Sequence, residues 1–280
     1  KAKKQLYINP NLNKRQQLFV LAKELGFSVL DLKDRSLYPL SIGVESFTHL
    51  LNNFKAAYFA GALLVPKEAF LKQMEELMTQ EKWKSSLLQT IISEFQVSPE
   101  LFAHRTSGLI PEAFGLKSLY YQRFQKDRIG GSVKITRELH INGAQTPHAN
   151  QVDQTYCNRW RGVRSLADLG NKSISSNETK IAVQRSKFYN SNKEYFVVSL
   201  SRHLYPTRNT DSCVAIGFAM TNAFKERVKF WDDDQIEHRI VNITCETCGI
   251  SDCEDRTAKP TVFDRKEKSG KIRKALDDIL

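Results

Sequence analysis

The sequence predicts an α+β protein, with a helical first part followed by a single antiparallel sheet flanked by helices. Three observations carry this. Up to about residue 116, apolar residues recur at helical spacing. Beyond it come six short runs rich in β-branched and aromatic residues: SLYYQRF, SVKITREL, KIAVQRSKFY, EYFVVSLSRHLY, SCVAIGFAM and RIVNITC. Polar stretches such as NKSISSNETK and YNSNKE separate those runs and read as turns and loops.

The first helix is expected over residues 13–30, where Leu18, Leu21, Ala22 and Leu25 share a face. Asn13 can cap its start and Gly26 can mark its end. A second helix is expected from Val44 to Leu64, closing at Pro66, and a third from Pro66 to Met78. Residues 84–95 and 99–109 read as a helix pair around the turn QVSPE. There Ser98 is a natural cap and Pro99 a natural first residue, because proline lacks the N–H that a first turn leaves unbonded. The charged end, DRKEKSGKIRKALDDIL, reads as a surface helix or tail.

The 280 residues suffice for two compact domains with sizeable cores. No apolar run approaches the roughly 18–20 residues of a membrane span. The formal charge of +11, from 42 basic and 31 acidic residues, favours anionic partners such as nucleic acid or phosphorylated ligands. A start at Lys1 instead of Met suggests a fragment of something longer. There is no signal peptide, so the expected location is cytoplasmic.

The densest chemical signal is the run TCETCGISDCEDR, which spaces Cys245, Cys248 and Cys253 as C-x2-C-x4-C. Such a run can turn three thiolates towards one centre. Three soft donors suit zinc or an iron–sulfur cluster, either of which wants a fourth ligand. Cys157, far upstream in TYCNRWRG, is the best candidate. The competing reading is of ordinary buried thiols, since cysteine is a common core residue. Five cysteines, an odd number, in an intracellular setting argue against disulfides. Cys213, inside SCVAIGFAM, reads as core.

KRQQLFVLAKELGF resembles the zinc helix of the ImmA/IrrE metallopeptidases, in which that run ends A-H-E-L-G-H. The family motif places two histidines one turn apart on zinc and a glutamate beside the metal-bound water. NNFKAAYFAGALLVP resembles the helix bearing the third ligand, through Phe59, Ala60, Leu63, Leu64 and Pro66. The resemblance then puts Lys23, Phe27 and Asn53 at the three ligand positions, with Glu24 retained. It implies a degenerate, non-catalytic peptidase fold. LLQTIISEFQVSPELFAHRTSGL resembles a helix-turn-helix, with Glu100, His104, Arg105 and Thr106 on its second helix. That set is weakly basic for a recognition helix and favours a packing role.

CETCGISDCEDRTAKP, with Arg256 and Pro260, resembles the C-terminal signature of the short-chain fatty acyl-CoA regulator family. TYCNRWRG matches that family's upstream run through Cys157 and Trp160. The resemblance implies the effector-sensing part of a bacterial transcription regulator. Such a regulator has a GAF-like sensor, an acyl-CoA effector, a DNA-binding domain ahead of this fragment and a homodimeric state. A mycobacterial member is associated with CoA and a 4Fe-4S cluster, which tilts the metal towards iron–sulfur with zinc as the alternative.

Arg185, Lys187, Arg202 and Arg208, with Tyr205, are candidate contacts for the anionic effector. Phe188 and Tyr195 lie close by in sequence. Each arginine could equally be a solvent-facing strand residue. No nucleophile elbow, P-loop or dinucleotide fingerprint is present, and no enzymatic activity is expected. The expected division is a degenerate peptidase-like domain at 1–82, a helix pair at 83–116, a sensor domain at 117–265 and a tail at 266–280. Two other readings are a zinc-stapled protein-interaction module and, against the missing histidines, an active metallopeptidase.

Overall fold

The computed structural model describes residues 5–35, 46–142, 155–170, 178–207 and 209–279. The chain forms two compact units. The first comprises residues 1–77 and 86–109, and the second residues 78–85 and 110–280.

The first unit is helical. Helix α1 spans Lys14–Val29, α2 Phe47–Leu64, α3 Lys67–Met78, α4 Ser85–Glu94 and α5 Pro99–Phe114, the last residue of α3, the last turn of α5 and the first residue of α4 belonging to the second unit. Asn13 caps α1 in a reciprocal box with Gln16, so two N–H groups that the first turn leaves free are bonded. Ser46 caps α2 by accepting from the His49 N–H, and Ser98 accepts from the Leu101 N–H at the start of α5. Gly26 does not end α1, which runs on to Val29. A side chain there would come within 3.0–3.1 Å of Phe59 and the Ala56 carbonyl, so its smallness lets α1 and α2 touch. Helix α5 also outruns its expected end at residue 109 and passes through Pro111 to Phe114. Phe70 lies at the centre of the unit, with its ring against those of Phe95 and Phe102.

In the second unit all six β-rich runs become strands of one sheet. They are β1 Leu119–Asp127, β2 Val133–Ile141, β3 Lys180–Phe188, β4 Glu194–His203, β5 Thr210–Ala219 and β6 His238–Val241. The order is β2-β1-β5-β4-β3-β6. The sheet is not wholly antiparallel, because β6 joins β3 in parallel. Helix α6, Arg161–Leu169, lies on one face. Its Val163, Leu166 and Leu169 share a core with Tyr120, Phe124, Trp160, Phe188, Tyr195 and Val197. On the other face, Phe196 and Phe218 pack beneath Phe224 of helix α7, Asn222–Arg227, and Phe196 also meets Phe230 of the following 3-10 turn. Helix α8, Thr261–Asp277, follows the cysteine run and buries no residue.

Asp233 ties the segment at Lys82 and Trp83 to this unit. It accepts from the Trp83 N–H at 2.8 Å and the Gln235 N–H at 3.1 Å, and Lys82 lies 3.6 Å away. The two backbone N–H groups hold its carboxyl below the usual range, with Lys82 adding to them. A depressed folded-state pKa stabilises at pH values above the unfolded one, about 3.9. That stabilisation disappears as pH falls through the folded value. Asp233→Asn is therefore expected to flatten the decline of melting temperature below about pH 4 and to change its shape little near neutrality. Parallel acid-limb curves for the two proteins would rule this out.

Candidate metal centre

Cys157 sits at the join between the segment entering α6 and the loop that follows β6. Tyr156 and Thr244 form a bridge across that join. The Cys157 N–H donates to the Ile243 carbonyl at 3.2 Å, and the Cys245 N–H donates to the Thr155 carbonyl at 2.9 Å. Trp160 donates its indole N–H to the Asn242 carbonyl, and Asn158 donates to the Asp255 carbonyl at 3.0 Å. The Asp255 carboxylate takes Arg159 at 3.1 Å and Arg239 at 3.0 Å. The Thr155 N–H reaches the Glu246 carboxylate. Two stretches far apart in sequence are thus bonded side by side along their length.

The thiols follow. Cys157, Cys245 and Cys248 are buried and Cys253 is half-buried. Burial pushes the Cys157 thiol up to about 11. The backbone N–H groups of Asn242 and Arg159 bond its sulfur and oppose that rise, while Cys245 and Cys248 lie near enough to add to it. Arg256 reaches back over the loop. Its guanidinium donates to the carbonyls of Cys245 at 2.9 Å, Cys248 at 3.0 Å and Ile250 at 2.5 Å. A cation that satisfies three part-buried carbonyls holds the loop in one shape. Cys213 lies apart, fully buried in β5, as core.

Among the described residues, no three His, Cys, Asp or Glu side chains converge closely enough to hold a metal ion. What the fold does bring together is Cys157 with Cys245 and Cys248, buried on two bonded segments and with N–H groups aimed at the Cys157 sulfur, features that stabilise and tune thiolates where a centre is bound.

In the first unit, the positions that the resemblance assigned to metal ligands hold a cation, an aromatic ring and an amide. Phe27 is buried, with Lys23 Nζ 5.7 Å and the Arg35 guanidinium 5.1 Å from its ring centre. Glu24 pairs with Arg35. Burial lowers the Lys23 ammonium from its ordinary value, with Glu24 opposing and Arg35 reinforcing. Asn53, half-buried on α2, is a neutral amide. None of Lys23, Phe27 and Asn53 supplies an imidazole or a carboxylate. On α5, Arg105 points inward instead of towards a groove. It donates to the Val65 carbonyl at 3.0 Å, capping the end of α2, and lies over the Tyr58 ring. Thr106 is also buried, while His104 is exposed.

The anion-contact candidates divide. Arg185 pairs with Glu194 at 3.1 Å and Asp232 at 2.7 Å and lies over Trp231. Lys187 is exposed beside it on β3. Arg202, buried, lies at the other end of β4, roughly 20 Å along the strand direction, and Tyr205 lies just beyond that end. Arg208 lies outside the described residues. Arg202 does share a sheet face with two arginines that the sequence did not single out. It stands opposite Ser212, whose hydroxyl is 3.5 Å from Arg123 Nε, and Arg123 stands opposite Arg137. Only strand register could have revealed that row.

Residues 1–107 match the family Peptidase_M78, the IrrE N-terminal-like domain. No curated protein matches the chain. Among solved structures, it is similar to a Mycobacterium tuberculosis transcriptional regulator, with a TM-score of 0.53 and 17% identity over 87% of this chain and 69% of that one. At that identity the likeness speaks for the fold. Among the described residues, no helix is long and apolar enough to cross a membrane.

Proposed function

We propose that the chain is the effector-sensing part of a cytoplasmic, homodimeric bacterial transcription regulator, in which Cys157, Cys245, Cys248 and Cys253 hold a 4Fe-4S cluster. The observation that carries this reading is the bonded join that lays Cys157 against the Cys245–Cys248 turn. An iron–sulfur group supplies sensitivity to oxidation and to metal supply. This chain's residues bury it, present N–H groups to sulfur and, through Arg256, fix the loop that carries three of its ligands. The regulatory assignment draws support from the fold shared with a transcriptional regulator. In this reading the first unit is a non-catalytic scaffold, since Lys23, Phe27 and Asn53 replace the donors that peptidase chemistry requires. DNA is held by a domain ahead of this fragment. The sheet unit is GAF-like and takes an acyl-CoA-like anion, for which the face bearing Arg123, Arg137 and the buried Arg202 supplies positive charge.

The second reading is a zinc staple, favoured by the same four thiols. Anaerobically purified protein is expected to be brown, with broad visible absorption and matched iron and sulfide. Colourless protein carrying zinc would replace the sensor with a structural staple. Colourless, metal-free protein of full stability would remove both.

A further inference from the structure

Helix α8 concentrates positive charge without burying anything. Between residues 265 and 274 it carries Arg265, Lys266, Lys268, Lys271, Arg273 and Lys274 against one acid, Glu267. Arg265, Lys268, Lys271 and Lys274 recur at every third position and form a ridge winding along the helix. Side chains three apart are neighbours on a helix, so these like charges repel along the ridge. Glu267 offsets one of them through its pairing with Lys271 at 3.6 Å. Ser269 and Gly270, weak helix formers, sit in the middle.

Its attachment is confined to the first turn. The N–H groups of Val262 and Phe263 both donate to the Glu246 carbonyl at 3.0 Å. The Phe263 ring lies on Gly249, where any Cβ would approach within 2.4 Å. From Asp264 to Ile279 every residue is exposed. A helix anchored at one end, unpacked along its length and repelling itself is stabilised by a polyanion.

We propose that α8 is a docking arm for the phosphate backbone of duplex DNA. A membrane surface calls for a long apolar face, yet residues 264–271 carry no apolar side chain and Ile272, Leu276 and Ile279 occupy only the end. A protein interface calls for buried apolar anchors, which the ridge lacks. Backbone contact with DNA needs only cations spaced along a rod. The choice of DNA rests on the regulatory reading above, whereas the ridge does not. The anchor, Glu246, lies between Cys245 and Cys248, so the arm's placement follows the shape of the cysteine loop.

The test is fluorescence anisotropy of a labelled duplex of arbitrary sequence, titrated with the 280-residue chain over a salt series. The ridge variant is R265Q/K268Q/K271Q/K274Q. The control, K55Q/K72Q/K84Q/K193Q, removes equal charge from exposed sites elsewhere. The ridge variant is expected to bind at least about 10-fold more weakly at low salt, with a slope of log K on log salt shallower by about 2–4. The control should stay within about 3-fold of the parent. Circular dichroism should show the parent gaining helix on adding duplex and the variant gaining none. Equal losses in both variants would reduce the effect to net charge and overturn the inference. So would ridge-dependent binding to phosphatidylserine vesicles without DNA binding. A parent chain that binds no duplex also overturns it, but leaves the regulator reading standing, because that reading places DNA on a preceding domain.

Discussion

Gly217→Ala is expected to destabilise the sheet unit by about 3 kcal/mol, the upper end of overpacking costs. For a unit of this size that corresponds to a melting temperature lower by about 6–12 °C. Gly217 lies in β5 opposite Tyr120 of β1. A Cβ there would sit 2.2 Å from two ring carbons of Tyr120 and 2.6 Å from its hydroxyl. A flexible side chain would swing away at little cost, but Tyr120 cannot. It is 1% exposed, and its ring is held between those of Trp160 at 5.8 Å and Tyr195 at 5.4 Å. Moving the tyrosine moves Trp160, whose indole bonds the Asn242 carbonyl beside Cys157. The damage should therefore reach the cysteine join as well as the core. Tyr120→Leu in the Gly217→Ala background should restore part of the loss, a favourable coupling that thermal melts of all four proteins would reveal. As a control, Gly108→Ala meets nothing within 4 Å in the interior of α5 and should be neutral or stabilising by up to about 1 kcal/mol. An unchanged melt for Gly217→Ala would mean that Tyr120 is not confined as described.

The same glycines show what the sequence could and could not tell. The six strands were legible because each run combines β-branched and aromatic residues between polar breaks. The caps Asn13 and Ser98 were legible because they act within their own turn. Gly26 looked like a helix end because glycine often is one, whereas its use is a close approach to α2, a fact of packing. Helix α6 was missed because its short run, beginning at Arg161, is interrupted by Gly162 and carries charges at Arg164 and Asp168. The parallel pairing of β6 was invisible, since a strand's periodicity says nothing of its partner's direction. A packing role for the helix of Arg105 was legible from its weakly basic composition, but not the target of Arg105, the Val65 carbonyl, which lies 40 residues away in sequence. At the candidate centre, spacing marked the three cysteines of one loop. The bonds that hold the two cysteine segments together and shape the loop, from Glu246, Asp255, Asn158 and Arg256, join residues whose partners no local pattern names.

Cys157→Ser should abolish metal retention, lower the melting temperature to that of chelator-treated parent protein and leave the variant insensitive to further chelator. The substitution is nearly isosteric, so the local packing against Trp160 and Val163 is kept and only the sulfur is removed. For an inert buried thiol the cost would be confined to burying a hydroxyl, about 1–3 kcal/mol, with metal content unchanged. For a ligand the loss includes metal-binding free energy, which in closed thiolate sites is itself folding free energy of several kcal/mol or more. Cys213→Ser separates these cases. Cys213 is fully buried but lies in β5, away from the join. It should lose a comparable hydroxyl-burial cost while keeping its metal and its response to chelator. Metal analysis and melts of the two variants, each with and without chelator, therefore give a pattern that core damage alone cannot produce. If Cys157→Ser keeps its metal and behaves like Cys213→Ser, the fourth ligand is not Cys157, and the bonds at Tyr156 and Asn158 serve only to close the sheet unit.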